Sequence, residues 1–310
     1  MDIVHITQCL ADEEVDCLAG THLHENCYDH IIDEDTDVYK PNGELLLKFR
    51  KGIIPLSICK QAYPSLRTGA TKTYNRGTAG GNIKKDVKSN FVVAGNQTKG
   101  GYRVKKDGTL SNVWERPKPI LSGLIGFTDK TSRMPYCRTT RWTNENPEKF
   151  ALALPLIQFI SKSFKELVPE RYKAQKARCD KTIKDWVIPN SVFTTITVNK
   201  NWQTAVHKDA GDLAEGFGCM TAFSAGGYKG CNLVFPKYRT AVNMRTGDLI
   251  LCDVHEWHGN TPLVPKIGVP HERISCVFYY RENMYKCGTL KKELDDVKRR
   301  NTRDGTPLYI

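Results

Sequence analysis

The sequence predicts a mainly β fold with flanking helices, an antiparallel sandwich or barrel. Three observations carry this reading. Seven short runs rich in β-branched and aromatic residues crowd into residues 190–281. Glycine-bearing or charged turns separate them, notably GGYKG at 226–230 and RTGD at 245–248. One long amphipathic helix precedes them at 147–168. The chain's 310 residues, 40% hydrophobic, suffice for a sizeable core.

Taken in order, residues 1–39 hold eleven Asp or Glu and no Lys or Arg. Cys17, His22, His24 and Cys27 fall here, but their spacing matches no structural zinc pattern, so the segment reads as an acidic surface element. Residues 40–120 reverse the sign, with seventeen Lys or Arg against four Asp or Glu. A clustered basic surface suits a polyanion such as nucleic acid, and solvated loops are the plainer alternative. Within SLRTGATKTYNRGTAGGN (65–82), Arg67, Lys72, Tyr74 and Arg76 place cations and an aromatic in a glycine-rich loop, a composition suited to phosphates and a stacked base. Tyr102, Arg103, Lys105 and Lys106 repeat the theme.

In the 147–168 helix Asn146 can cap and Pro147 suits the first turn. Phe150, Ala153, Leu154, Ile157, Ile160, Phe164 and Leu167 share one face, and Pro155 is a possible kink. The expected strands are 192–199, 204–209, 217–224, 231–236, 240–244, 248–254 and 273–281, followed by a charged helix at 289–300. The expected organisation is an elaboration over 1–146 that frames a groove, and a helix-plus-β core over 147–310, in one continuous domain.

No run of eighteen apolar residues exists, so no membrane span is expected. Nothing at the N-terminus resembles a secretory signal. The eleven cysteines are odd in number, scattered from Cys9 to Cys287, and include no C-x-x-C pair. Free thiols in a reducing intracellular compartment are therefore expected, with Cys219, Cys231, Cys252 and Cys276 packed as small hydrophobes.

His207-Lys208-Asp209 is an H-x-D pair, whose outer residues share a side when the segment is extended. A later run, DLILCDVHEWHGNTPL, supplies His258 (and His255), and Arg273 follows fifteen residues after His258. Two His and one carboxylate leave three metal positions open, the arrangement of non-haem Fe(II) oxygenases. A 2-oxo acid can fill two of these and O2 the third. An Arg at a fixed depth can fork onto the distal carboxylate of 2-oxoglutarate.

HKDAGD, GCNLVFPKYRTAV, GDLILCDVHEWHGN and RISCVFYY together resemble the TET/JBP oxygenases, over about residues 190–281. Residues 40–145 resemble that family only through basic, glycine-rich loops. The resemblance implies a double-stranded β-helix (jelly-roll) core, with Fe(II), 2-oxoglutarate and O2 as cofactors and cosubstrates. It makes His207, Asp209 and His258 the iron ligands and Arg273 the 2-oxoglutarate anchor. It favours His258 over His255, because Gly259-Asn260 and the spacing to Arg273 fit the family pattern. Asn199 and Asn201 can reach the cosubstrate or form a turn. Asp212 can contact the target base or cap a turn, and its acceptor oxygens make thymine plausible. The implied reaction is hydroxylation of a pyrimidine 5-methyl group in DNA, thymine ahead of 5-methylcytosine, with the base single-stranded or flipped from a duplex. Two alternatives stay open: a dioxygenase acting on a protein side chain or small molecule, and a nucleic-acid-binding module without turnover.

Overall fold

The computed structural model describes residues 1–74, 76–81, 119–131 and 134–304, with side chains described as far as Arg299. The Tyr102–Lys106 cluster lies outside the described residues. In chain order the strands are β1 (Asp2–His5), β2 (His30–Ile32), β3 (Thr36–Tyr39), β4 (Leu45–Arg50), β5 (Lys72–Thr73), β6 (Ile120–Thr128), β7 (Arg138–Thr139), β8 (Thr195–Lys200), β9 (Gly218–Gly226), β10 (Tyr228–Gly230), β11 (Leu233–Phe235), β12 (Thr240–Val242), β13 (Leu249–Cys252), β14 (Gly259–Asn260), β15 (Leu263–Pro265) and β16 (His271–Tyr279). The helices are α1 (Asp12–Asp16), α2 (Leu56–Leu66), α3 (Arg141–Glu145), α4 (Pro147–Leu167), α5 (Pro169–Lys181) and α6 (Leu290–Asp304).

Three layers result. A major sheet runs β1-β3-β4-β13-β9-β16-β8-β6-β5, with β7 beside β6. A minor sheet runs β14-β11-β12-β2, and β10 pairs with β15 in a short ribbon. Helices α2, α3, α4 and α5 pack on the outer face of the major sheet, whereas α1 lies beside Lys237 and Trp257. Side chains alternate between the two interfaces as the strand period requires. On β13, Leu249 and Leu251 face the helix-side core, whereas Ile250 and Cys252 face the core between the sheets. On β16, Ile274, Cys276 and Phe278 join the helix-side core, which turns Arg273, Ser275, Val277 and Tyr279 into a cavity on the other face. The expected apolar face of α4 packs as read: Ala153, Ile157, Ile160 and Phe164 are buried, with Phe150, Leu154 and Leu167 packed against them. The helix runs through Pro155. Asn146 gives no side-chain cap; its amide donates to the Trp142 carbonyl (2.9 Å).

Three expectations need correction. Residues 204–209 form no strand. Their backbone bonds go to three different partners, Ala205 N to Ala79 O, Val206 N to Thr21 O and His207 N to His258 O, so no continuous ladder can form. The acidic head is more than a surface element: β3 lies in the major sheet, and its Val38 is fully buried. Finally, Cys137 and Cys287 are joined by a disulfide, their Cα atoms 5.8 Å apart across 150 residues. The other nine cysteines are free. No described helix is long and apolar enough to cross a membrane.

Close backbone packing brings the helical layer against β6. A Cβ added at Gly123 would lie 2.0 Å from the Gly69 carbonyl oxygen, so backbone rather than a flexible side chain would have to move. Gly123→Ala is expected to cost about 1–3 kcal/mol in urea denaturation, as overpacking does. At the rim, Arg67 donates to the Glu272 carboxylate at 2.9 Å, joined there by Tyr63 and Lys200. Burial alone would raise this carboxyl, but the hydrogen bonds from Lys200, Tyr63 and Arg67 bring it down to about 2. Glu272 therefore contributes stability above its ordinary 4.5, lost as pH falls toward 2. Denaturation midpoints measured between pH 5 and 2 should show a fall that is smaller in Glu272→Gln.

Candidate active site

The site starts from a reciprocal backbone pair. His207 N donates to His258 O at 2.8 Å, and His258 N donates to His207 O at 2.9 Å. This sets the two rings with centroids 4.4 Å apart. Asp209 N is held by Val254 O (3.0 Å), returning the carboxylate toward both rings. Asp209 Oδ1 lies 3.4 Å from His207 Nε2, and Oδ2 lies 4.0 Å from His258 Nε2. One ligand atom from each residue lies within 4.8 Å of the others, and among the described residues no other His, Cys, Asp and Glu side chains gather in this way. His255 instead lies 3.6 Å from Asp253, outside the cluster. Cys17, His22, His24 and Cys27 form no such group.

The donor set fits a divalent metal. His207 Nδ1 bonds the Ala205 carbonyl (2.8 Å), and His258 Nδ1 bonds the Glu256 carbonyl (2.9 Å). A carbonyl only accepts, so each Nδ1 carries the proton and each neutral ring keeps its lone pair at Nε2. Burial and the neighbouring His207 push His258 down to about 4, so it is neutral at pH 7. Burial also works against charge on His207, but Asp209 and the backbone carbonyls outweigh it and raise its pKa. For Asp209 burial raises and the adjacent imidazoles lower, with a net fall. Two imidazole nitrogens and an ionised carboxylate then converge on one point.

That point lies in a cavity of about 470 Å³ between the sheets. Its walls include Arg273, Asn199, Asp212 and Arg76, four of the residues singled out from sequence. Arg273 is 4% exposed, forms no ion pair among the described residues, and its buried Nε has no hydrogen-bond partner. A buried guanidinium in that condition suits an anion. Asn201 fixes its backbone: Asn201 Oδ1 accepts from Arg273 N at 2.6 Å, and Asn201 N donates to Arg273 O at 2.9 Å. Asn201 takes the left-handed conformation (φ 46°), which Asn tolerates. Asn199 Oδ1 accepts from Ser122 Oγ (2.6 Å).

At the other end of β16, burial and Asp209 push the Asp212 carboxyl well above the usual carboxylate range, with Arg281 opposing. Arg281 itself is matched by Asp129 (2.7 Å). Burial, then Asp212, raises Tyr279 to about 12, and its hydroxyl lies 3.2 Å from Thr197 Oγ1. Arg76 presents another buried Nε with no hydrogen-bond partner among the described residues. Arg67, Lys72 and Tyr74 are not in the cavity wall; Arg67 is tied to Glu272, and Lys72 and Tyr74 are exposed. Sequence reasoning missed Ser275, Tyr279 and Arg281, although two-residue alternation from Arg273 along β16 was available to find the first two. Lys208 also lies at the cavity wall, with Nζ 5.0 Å from the Trp257 ring centre; its segment is not a strand, so the alternation that would turn it away from His207 and Asp209 does not apply.

The chain is similar to known proteins. The thymine dioxygenase JBP1 of Trypanosoma brucei brucei is 36% identical over 163 residues, 52% of this chain and 19% of the relative. JBP1 of Crithidia fasciculata is 36% identical over 167 residues, 52% of this chain and 20% of the relative. The bifunctional helicase and thymine dioxygenase JBP2 of Leishmania tarentolae is 32% identical over 169 residues, 54% and 15% of the two chains. The alignments thus span about a fifth or less of these curated relatives. A structure of NgTET1 in complex with 5mC DNA superposes with a TM-score of 0.54 over 87% of this chain and 86% of that one, at 13% identity. This likeness bears on fold alone and agrees with the expected double-stranded β-helix core. Residues 124–282, just over half of the 310, match the Tet_JBP family, and the chain belongs to it: the oxygenase domain of the 2OGFeDO superfamily.

Proposed function

We propose that this chain is a dioxygenase that hydroxylates the 5-methyl group of a pyrimidine in DNA, thymine ahead of 5-methylcytosine. Membership of the superfamily implies Fe(II), 2-oxoglutarate and O2. The observation that carries the reading is the His207–Asp209–His258 cluster sharing one cavity with the unpaired, buried Arg273. When bound, Fe(II) with 2-oxoglutarate and O2 supplies the oxidising power that turns a C–H bond into C–OH, with succinate and CO2 as coproducts. The chain's residues do the rest. His207, Asp209 and His258 hold the metal, with ring orientation set by the carbonyls of Ala205 and Glu256. Arg273 forks onto the distal carboxylate of 2-oxoglutarate, and Asn199, its oxygen occupied by Ser122, has N–H donors to offer the same molecule.

Asp212 and Arg76 read the base. Burial, then Asp209, raises the Asp212 carboxyl, which favours a group able to donate as well as accept, and thymine presents both an N3–H and carbonyl oxygens. The names of the curated relatives also favour thymine. A base inside a duplex cannot reach this enclosed centre, so it enters flipped or from a single strand. Arg67, Lys72 and Tyr74, on the outer surface, meet the strand, and the N-terminal half frames the groove. A DNA substrate and nine free cysteines, beside the single Cys137–Cys287 disulfide, support a reading in which the protein acts inside a cell, in cytoplasm or nucleus, including the host cell of a virus.

The direct test incubates the protein with Fe(II), ascorbate, 2-oxoglutarate and DNA, and measures nucleosides by mass spectrometry. One DNA contains thymine only; the other also contains 5-methylcytosine. New 5-hydroxymethyluracil or 5-hydroxymethylcytosine, absent with His258→Ala, is the expected result. Consumption of 2-oxoglutarate with no modified base would move the substrate to a protein or small molecule, and no consumption at all would leave only a binding role. A second expectation concerns protons. His207, its pKa raised, is partly protonated near pH 6.5, and a metal must displace that proton. Calorimetric Mn(II) titrations in buffers of different ionisation enthalpy should report proton release, larger at pH 6.5 than at pH 8, and apparent affinity should weaken as pH falls.

A further inference from the structure

The matched family segment begins at residue 124, yet several supports of the metal cluster come from before it. On one side, Gly20 N donates to Val206 O and Val206 N to Thr21 O, both at 2.8 Å, which pins the residue before His207. On the other side stands Lys40, which follows β3 and is 7% exposed. Its Nζ lies 3.0 Å from Asp253 Oδ2, 3.1 Å from Glu256 Oε1 and 3.2 Å from Glu44 Oε2. Asp253 and Glu256 bracket the turn that leads to His258. Asp253 Oδ1 accepts from His255 N (3.1 Å), Glu256 N donates to Asp253 O (3.3 Å), and the Glu256 carbonyl is the acceptor that orients the His258 ring.

We propose that Lys40 is a positioning residue for the metal centre: by binding Asp253 and Glu256 together it fixes the carbonyl that aims His258. This rests on the reading of His207, Asp209 and His258 as metal ligands. The physical argument is one of reach and burial. A buried ammonium cannot stand without its carboxylates, and two carboxylates this close repel without it, so ion and turn hold one geometry. Burial disfavours charge on Lys40, yet the bonds to Asp253 and Glu256 outweigh it and keep the ammonium charged. Once Lys40 is gone, the carboxylates separate, the Glu256 peptide can rotate, and the His258 ring loses the acceptor that holds Nε2 toward Asp209.

The test compares Mn(II) affinity, by calorimetry, in the wild type, Lys40→Met and Lys48→Met. Lys48 makes a comparable ion pair with Asp37 (2.6 Å) on the same sheet, away from the turn. Folded fraction is checked by circular dichroism, so affinity is read per folded molecule. Both variants should melt at lower temperature. Lys40→Met should bind Mn(II) about tenfold or more weakly, and Lys48→Met should stay within about twofold of the wild type. Equal affinity in Lys40→Met and wild type would overturn the proposal and leave Lys40 a stabilising ion pair only. A wild type that binds no Mn(II) would instead overturn the metal assignment itself. Should Lys40→Met fail to fold, Glu256→Gln carries the same test. It keeps the carbonyl and weakens its hold, so a drop of about threefold or more is expected, and unchanged affinity overturns the proposal.

Discussion

The paired backbones of His207 and His258 are the constraint on which the rest of the site depends. Two reciprocal amide bonds bring the imidazoles together in a buried space, where both cannot carry a proton. The consequence is a division of labour visible in their opposite shifts. His258, pressed by burial and by its neighbour, is held neutral, whereas Asp209 and the backbone carbonyls raise the pKa of His207 against its burial. Neither state is imposed by the tripeptide His207-Lys208-Asp209 alone, which is why that pattern means little until His258 is brought beside it.

Charge accounting separates structure from function around the same cavity. Arg281 is matched by Asp129, so it holds β16 to the loop after β6 and asks for nothing further. Arg273 has no such match among the described residues, although its backbone is clamped by Asn201. A cation that is pinned yet left unpaired in a buried wall is poised for a ligand of opposite sign. Asp209 answers to the imidazoles, and burial, then Asp209, raises the Asp212 carboxyl well above the usual carboxylate range. The cavity therefore presents an anion-seeking end at Arg273 and a hydrogen-bonding carboxyl at Asp212. That polarity suits a dicarboxylate beside an uncharged base.

Much of this was legible in the sequence, for reasons that can be named. The β-rich core, α4 and the distribution of His207, Asp209, His258 and Arg273 follow from periodicity and motif, because side chains that alternate or recur at helical steps leave a one-dimensional trace. The strands of the N-terminal half left a weaker one. Leu45–Arg50 is apolar enough to pair, yet the acid-rich and base-rich segments around it masked that signal in composition. The Cys137–Cys287 link and the Lys40 network join residues 150 and more than 200 positions apart, and no local spacing encodes either. Basic residues were grouped by proximity in sequence, whereas folding sends Arg76 to the cavity wall, ties Arg67 to Glu272 and leaves Lys72 outside.

The misreading of the acidic head points to a general property of this architecture. The ligands sit at the edge of the sandwich: His207 on a segment without a ladder and His258 on the turn before β14. Segments outside a continuous ladder leave backbone groups without regular strand partners, so they need partners from elsewhere to hold a geometry. Here those partners are Gly20 and Thr21, from the segment whose composition suggested only an acidic surface, and Lys40, the first residue beyond it. Its acidity is compatible with this because carboxylates such as Asp16, which accepts from the Trp257 indole at 2.6 Å, face outward from the ligand turn rather than into the cavity. The matched oxygenase segment thus supplies the chemistry-bearing side chains, and the preceding residues supply the rigidity that lets two imidazoles and a carboxylate converge.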